Sequence, residues 1–438
     1  MRLKWHLLNF FDFFLLFSVL ILVVIGILFI YSSGINSSGE LVSNEYSKQI
    51  FFSITGLAIM IVITFLDYRK FRQWSLFLYI SIIILLIYTR LAGKYVNGAY
   101  SWLGIGDFGI QPSEFGKIIF ILFLARYLES SVKQNELKRF IYASIILCIP
   151  MGLILIQPDL GTASVYFPVF IVMCYMAGLP KRYLLMILSC GFFVILFCIL
   201  PVWSERIYQK TIPLLKVFTD SRIRLLVIIA FSFICIIGIV GYGFFKLPYY
   251  YWIAFVFGIL TFALVVSVAA GKILKPYQIM RLIVFLNPDV DPQGAGWNII
   301  QSKIAIGAGG IFGQGFLKGT QSHYRFLPQQ STDFIFSILS EEWGFVGCFI
   351  VFILFGLILF RGILIVRQTN NPFSCYVSSG IICMIFFHFV VNIGMVMGIM
   401  PITGIPLLFL SYGGSSLWTA MASIGFLMSI NSRRMEFN

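Results

Sequence analysis

Long apolar runs, each broken by a few polar or basic residues, recur from one end of the chain to the other. A helix needs roughly 20 apolar residues to cross a hydrocarbon core of about 30 Å, so runs of this kind read as spans. The pattern predicts helices over 12–31, 49–66, 75–91, 114–128, 141–157, 163–179, 184–201, 225–243, 249–270, 333–360, 374–399 and 407–429. Short segments of alternating hydrophobicity, the mark of a membrane β-barrel, do not recur. The expected fold class is therefore an all-α polytopic integral membrane protein of about 12 transmembrane helices. The first run, Phe13 to Ile30, follows Arg2 and Lys4 as a signal peptide would. It is longer than the usual apolar core of one and no A-x-A pattern follows, so it is expected to stay as an uncleaved span.

The polar intervals set the organisation. Residues 1–201 carry helices one to seven, 202–270 a loop and a helical pair, and 333–438 the C-terminal helices. Between them, 271–332 is the one sizeable stretch that does not span. Its glycines are interleaved with Trp297, Phe312, Phe316, Tyr324 and Phe326, which argues for a structured loop, and long loops in compact proteins commonly carry function. No internal repeat of the transporter kind stands out.

Composition agrees. Of 438 residues, 60% are hydrophobic and 11% charged, against roughly a quarter charged in soluble domains. The net charge of +14 gathers in short connections such as Asp67 to Arg72, Lys133 to Arg139, Lys181-Arg182 and Arg433-Arg434, which places these and both termini in the cytoplasm. The loop 202–224, with Arg206, Lys210, Lys216, Arg222 and Arg224, runs against this rule on the outer side. Topology accounts for the basic excess, with anionic lipid heads or a diphosphate as a second reading, and no nucleic-acid partner is expected. The eight cysteines lie in or beside apolar runs without metal spacing and read as packing residues.

Polar residues at the margins of membrane helices are costly and so mark candidate chemistry. Four clusters qualify. Asn97 to Trp102 leads to Gln111-Pro112-Ser113-Glu114-Phe115-Gly116-Lys117, where Ser113 suits a helix N-cap. Glu114 and Lys117 share a face at i,i+3, as a structural ion pair or as substrate contacts. Trp102 suits an interfacial belt or a sugar or lipid contact. Gln157-Pro158-Asp159 breaks two runs, and Asp159 either caps the next helix or lines a cavity. Gly404 to Ser416 reads as a hinge or cavity wall. The fourth cluster runs from Gly294 through Lys303, Lys318, Gly319-Thr320-Gln321 and Arg325 to Phe326-Leu327-Pro328-Gln329-Gln330-Ser331-Thr332-Asp333-Phe334. Its glycines allow close backbone approach to an anionic ligand, and Asp333 stands where an apolar helix begins, as an N-cap or a functional acid.

Taken together and in this order, the clusters resemble the RodA/FtsW (SEDS) family of shape, elongation, division and sporulation proteins. Gln301-Ser302-Lys303-Ile304-Ala305-Ile306-Gly307, Gly319-Thr320-Gln321 and Thr332-Asp333-Phe334-Ile335-Phe336-Ser337 are its most specific matches, and Asp289-Val290-Asp291-Pro292 favours the RodA elongation branch.

The resemblance implies a peptidoglycan glycosyltransferase of the bacterial cytoplasmic membrane, with the loop 271–332 extracytoplasmic and a family core of ten spans extended by the pair within 202–270. It would join lipid II units into glycan strands for cell elongation, with inversion at the anomeric carbon. The family's essential carboxylate falls on Asp333, Trp102, Glu114, Lys117 and Asp159 match further functional positions, and Gln321 in the matching Gly-Thr-Gln is a further candidate substrate contact. Lys117, Lys303, Lys318 and Arg325 are candidates to neutralise the diphosphate, alone or with a divalent cation such as Mg2+. Implied partners are a class B penicillin-binding transpeptidase and other elongation-complex membrane proteins. The family usually writes Glu and His where this chain has Gln329 and Ser331, so Asp333 would act largely alone. A lipid II flippase and a non-catalytic scaffold are the competing readings.

Overall fold

The computed structural model describes residues 12–96, 98–105, 108–203, 220–273 and 276–433. Each of the twelve predicted stretches contains a helix, but the last, 407–429, is irregular through Gly413 and its helix begins only at Gly414. In chain order the helices are α1 Phe13–Ser33, α2 Glu45–Phe65, α3 Tyr68–Ala92, α4 Pro112–Ser130, α5 Glu136–Ile156, α6 Leu160–Met176, α7 Lys181–Trp203, α8 Ser221–Phe245, α9 Pro248–Ile273, α10 Pro276–Leu286, α11 Ala295–Gly309, α12 Thr320–His323, α13 Ile335–Gln368, α14 Pro372–Val396 and α15 Gly414–Ser432. Among the described residues, nine are long and apolar enough to cross a membrane. The remaining three of the predicted twelve are α4, which begins on charged residues, the short α6, and α15, which is rich in small and polar residues.

The chain groups into two compact units, one within Met1–Leu179 and Trp297–Asn438, the other within Pro180–Gly296. The first holds the segments with candidate chemistry from Trp102 to Asp159 and from Lys303 to Ser416. In the second, α8 and α9 form an antiparallel pair in which Gly238 sits against the Ala254 backbone, so closely that a Cβ would come within 2.7 Å of Ala254 N. Both helices overlap the segment 202–270, with α9 running on to Ile273. Arg206, Lys210 and Lys216, which set the sidedness problem of that segment, lie outside the described residues.

Three local expectations change. A small antiparallel sheet, β1 Lys94–Val96, β2 Ala99–Ile105 and β3 Phe108–Ile110, occupies the approach to α4. Its strands are too short to register in a pattern dominated by spans, and Gly98 makes the β1–β2 turn at φ 92°. At α4, Pro112 takes the first helical position and Gln111 is the N-cap, so Ser113 lies inside the helix. The third is α13, which runs to Gln368 and is broken at Gly344, where φ is 62° and ψ −157°.

Candidate functional site

At the break in α13 the helix exchanges its own hydrogen bonds for bonds to the preceding loop. Phe345 N and Val346 N donate to the carbonyls of Gly310 and Ile311 at 2.9 and 3.1 Å. The orphaned carbonyls of Glu341 and Glu342 accept from Gln314 N and Gly315 N, both at 3.0 Å. The two glutamates are fully buried and clamp the loop further. Glu341 accepts from Thr320 Oγ1 at 3.0 Å and Gln321 N at 2.8 Å. Glu342 accepts from Leu317 N at 3.1 Å and from Ser32 Oγ of α1, with His323 Nε2 at 3.8 Å. Gln321 is thus an anchor of the loop through its backbone.

The same loop delivers Asp333. Phe334 is the N-cap of α13 and makes no side-chain cap bond, so Asp333 belongs to the turn before the helix. The carbonyl of Gln329, at φ 52°, gathers that turn by accepting from the amides of Thr332, Asp333 and Phe334 at 3.3, 3.1 and 3.4 Å. Asn392, fully buried on α14, donates to the Asp333 carbonyl at 3.0 Å and to the Ile405 carbonyl at 2.8 Å. Ser331 is buried and its carbonyl accepts from Tyr412 N at 2.9 Å. The turn that carries Asp333 is therefore tied to the irregular segment between α14 and α15. Ser302 of α11 ties the loop to the same place, with Oγ 2.6 Å from the Val396 carbonyl and 2.8 Å from Ser337 Oγ.

One helical turn before Asn392, on the same face of α14, lies His388. Its Nδ1 is 3.0 Å from the Pro406 carbonyl, which can only accept, so Nδ1 carries the proton. Nε2 then accepts from Lys117 Nζ at 3.0 Å, and the ring is neutral. Lys117 also donates to Glu114 at 2.7 Å, with both side chains almost fully buried. The i,i+3 pair expected from sequence is thus present, and it is joined to a histidine that the span pattern concealed.

Asp159 is the N-cap of α6, accepting from Thr162 N at 3.0 Å and Thr162 Oγ1 at 2.8 Å. Its second oxygen also accepts from Gln111 Nε2 at 2.7 Å, which joins the entrances of α4 and α6. Gln111 N donates to Ser415 Oγ at 3.0 Å, which brings in α15. Close backbone contact reinforces the junction, since a Cβ on Gly161 would come within 2.4 Å of the Thr403 carbonyl. Trp102 lies on β2 with its ring across Gly109 of β3, where a Cβ would stand 2.8 Å from Trp102 Cε3.

The structure thus brings Glu114, Lys117 and Asp159 into one polar assembly with Gln111, His388, Asn392 and the Asp333 turn. Lys303, Lys318 and Arg325 are exposed. No group of three or more His, Cys, Asp or Glu among the described residues comes together as a metal site. Sequence reasoning passed over His388, Asn392, Glu341 and Glu342. Each is polar within an otherwise apolar run, and that rule, applied to helix interiors as well as margins, would have marked all four.

The fold and the site define a polytopic membrane protein that collects polar groups from the N-terminal ends of α4, α6, α13 and α15 and from the C-terminal half of α14. A family model for cell cycle proteins of the FtsW, RodA and SpoVE type matches residues 13–223 and 202–436. The peptidoglycan glycosyltransferase RodA of Treponema pallidum is 52% identical over 425 residues, covering 97% of this chain and 98% of that protein. The peptidoglycan glycosyltransferase MrdB of Escherichia coli K12 is 34% identical over 379 residues, covering 86% of this chain and 83% of that protein. A solved chain from work on how a peptidoglycan synthase complex coordinates polymerization and crosslinking superposes with a TM-score of 0.66 at 25% identity, covering 97% of this chain and 98% of its own. The chain belongs to the FtsW/RodA/SpoVE family, on its RodA branch.

Proposed function

We propose that this chain is a peptidoglycan glycosyltransferase that polymerises lipid II on the outer face of the bacterial cytoplasmic membrane, with Asp333 as its catalytic base. The observation that carries the activity is the end-to-end similarity, at 52% identity, to a relative named for it. Support for Asp333 is local. It sits in a turn fixed by the Gln329 carbonyl and by Asn392, and a base must be held within hydrogen-bond reach of the proton it removes.

The reaction joins an α-linked diphosphate donor to an acceptor sugar with inversion at the anomeric carbon. Asp333 takes the proton of the acceptor C4 hydroxyl as that oxygen attacks and the undecaprenyl diphosphate leaves with the bonding electron pair. One carboxylate is sufficient for a one-step inverting displacement. The leaving diphosphate needs positive charge. Lys117 is buried between Glu114 and His388, so exposed Lys303, Lys318 and Arg325 of the same loop are better placed to move onto an incoming lipid head. Glu114, Lys117 and Asp159 then serve the substrate by fixing the walls of the site, and Trp102 by offering a ring for sugar or lipid contact. A class B penicillin-binding transpeptidase is the partner that would cross-link the strands, a reading favoured by the likeness to the synthase-complex chain.

The activity is tested by supplying labelled lipid II to the purified chain in lipid nanodiscs with its class B partner and separating the products by size. Polymeric glycan is expected. Lipid II that stays monomeric while the protein is folded and partnered would overturn the assignment in favour of a transport or scaffold role.

A further inference from the structure

The end of α1 holds the loop that carries Asp333 at three positions. Ser32 Oγ donates to Glu342, the Ser33 carbonyl accepts from Gln330 Nε2 at 2.7 Å, and the Ile35 carbonyl lies 3.0 Å from His323 Nδ1. Gln330 follows Gln329, whose carbonyl gathers the Asp333 turn, so a shift at this junction reaches that turn directly. His323 is the last residue of the short helix α12, and it is buried.

A carbonyl can only accept, so Nδ1 of His323 carries a proton whatever the charge of the ring. In the neutral ring Nε2 is then a bare lone pair. It is buried without a hydrogen-bond partner, and the atom it faces is Glu342 Oε1 at 3.8 Å. Glu342 is fully buried and already accepts from Ser32 Oγ and from Leu317 N at 3.1 Å. Two acceptors therefore face each other away from water, which is costly unless one proton lies between them. A bridging water in line does not serve, because two bonds of about 2.8 Å through a tetrahedral water span about 4.6 Å. The other titratable group acting on Glu342 is Glu341 of the same helix, held by Thr320 Oγ1 and Gln321 N, while α1 contributes the Ser32 hydroxyl.

We propose that His323 is a positioning residue that shares one proton with Glu342 and so latches the loop carrying Asp333 to α1, a latch that loosens when the proton is lost. Its effect on turnover rests on the activity proposed above, whereas the latch itself does not. The contact exists in the protonated pair, so it is present on the acid side and lost as pH rises.

Hydrogen exchange of the purified full chain in nanodiscs, corrected for the intrinsic pH dependence of exchange, tests the latch at about pH 6 and about pH 9 in wild type, His323→Gln and His323→Asn. Glutamine places an N–H where Nε2 stands and should hold Glu342 at either pH. Asparagine keeps a donor where Nδ1 stands but does not reach Glu342. Protection of 314–326 should fall roughly tenfold between the two pH values in wild type, stay high at both in His323→Gln and be low at both in His323→Asn. The kcat for glycan formation from lipid II with the class B partner should follow the same three patterns, which a merely structural histidine would not produce. Wild-type protection that is level with pH, or a fall that His323→Gln shares, would overturn the latch. If His323→Gln does not fold, a wild-type pH dependence retained by His323→Asn would overturn it equally. Protection that follows the pattern while kcat does not would remove His323 from the positioning of Asp333. Wild type that makes no polymer at either pH would count against the proposed activity alone, because exchange is read without substrate.

Discussion

Lys117 and Glu114 form a contact of 2.7 Å in surroundings that leave neither side chain more than 4% exposed. Removing one member of such a pair strands a buried charge, at a cost of about 3–5 kcal/mol, whereas replacing both by apolar groups of similar size is often neutral. Lys117→Met should therefore lower the melting temperature markedly, and Glu114→Gln/Lys117→Met should recover most of the loss. A double variant no better than the single would show that the pair is not the source of the penalty. Asn392 makes a different test. Asn392→Leu leaves the carbonyls of Asp333 and Ile405 without their donor, each costing about 1–3 kcal/mol, and frees the turn that carries Asp333. With Asp333 as the proposed base, kcat should fall more than KM rises, because that carboxylate is displaced while the loop cations remain. Loss confined to KM would remove Asn392 from the positioning of Asp333.

Among the elements, the apolar runs were the most legible, since crossing a bilayer forces roughly 20 uninterrupted apolar residues and nothing else in this chain produces them. The ion pair of α4 was legible too, because i,i+3 spacing on a helix fixes which side chains meet. What could not be read was the break in α13: the apolar run continues through Gly344, and only the loop 310–315 shows where the missing hydrogen bonds go. The link from Asp333 to Asn392 spans 59 residues and has no local sign. The sheet at 94–110 was hidden by the brevity of its strands. A prediction belongs to the break. At φ 62°, with Gly313 N 2.3 Å from where a Cβ would stand, Gly344→Ala combines backbone strain of about 1–3 kcal/mol with a clash against main chain. Melting should fall, and protease sensitivity of 310–315 should rise. Unchanged melting would mean that the break is dispensable.

On the scale of the molecule, the polar assembly around Asp333 occupies one end of α4 and α14, and the charge rule assigns the other end, beside the basic connections 67–72 and 133–139, to the cytoplasm. In a background with the eight native cysteines replaced, a cysteine at Thr332 should react with a membrane-impermeant maleimide in intact cells. One at Lys133 should react only after permeabilisation. The reverse pattern would invert the topology and with it the side on which strands are made. The central claim, that Asp333 is the base of strand polymerisation, is tested most directly by comparing wild type and Asp333→Asn for glycan formation from labelled lipid II with the class B partner present, once both are shown to melt alike. The amide keeps the shape of the side chain and loses its basicity, so polymerisation should fall by about 10²-fold or more, in line with the usual contribution of a general base. Strands formed by the variant at the wild-type rate would contradict the account.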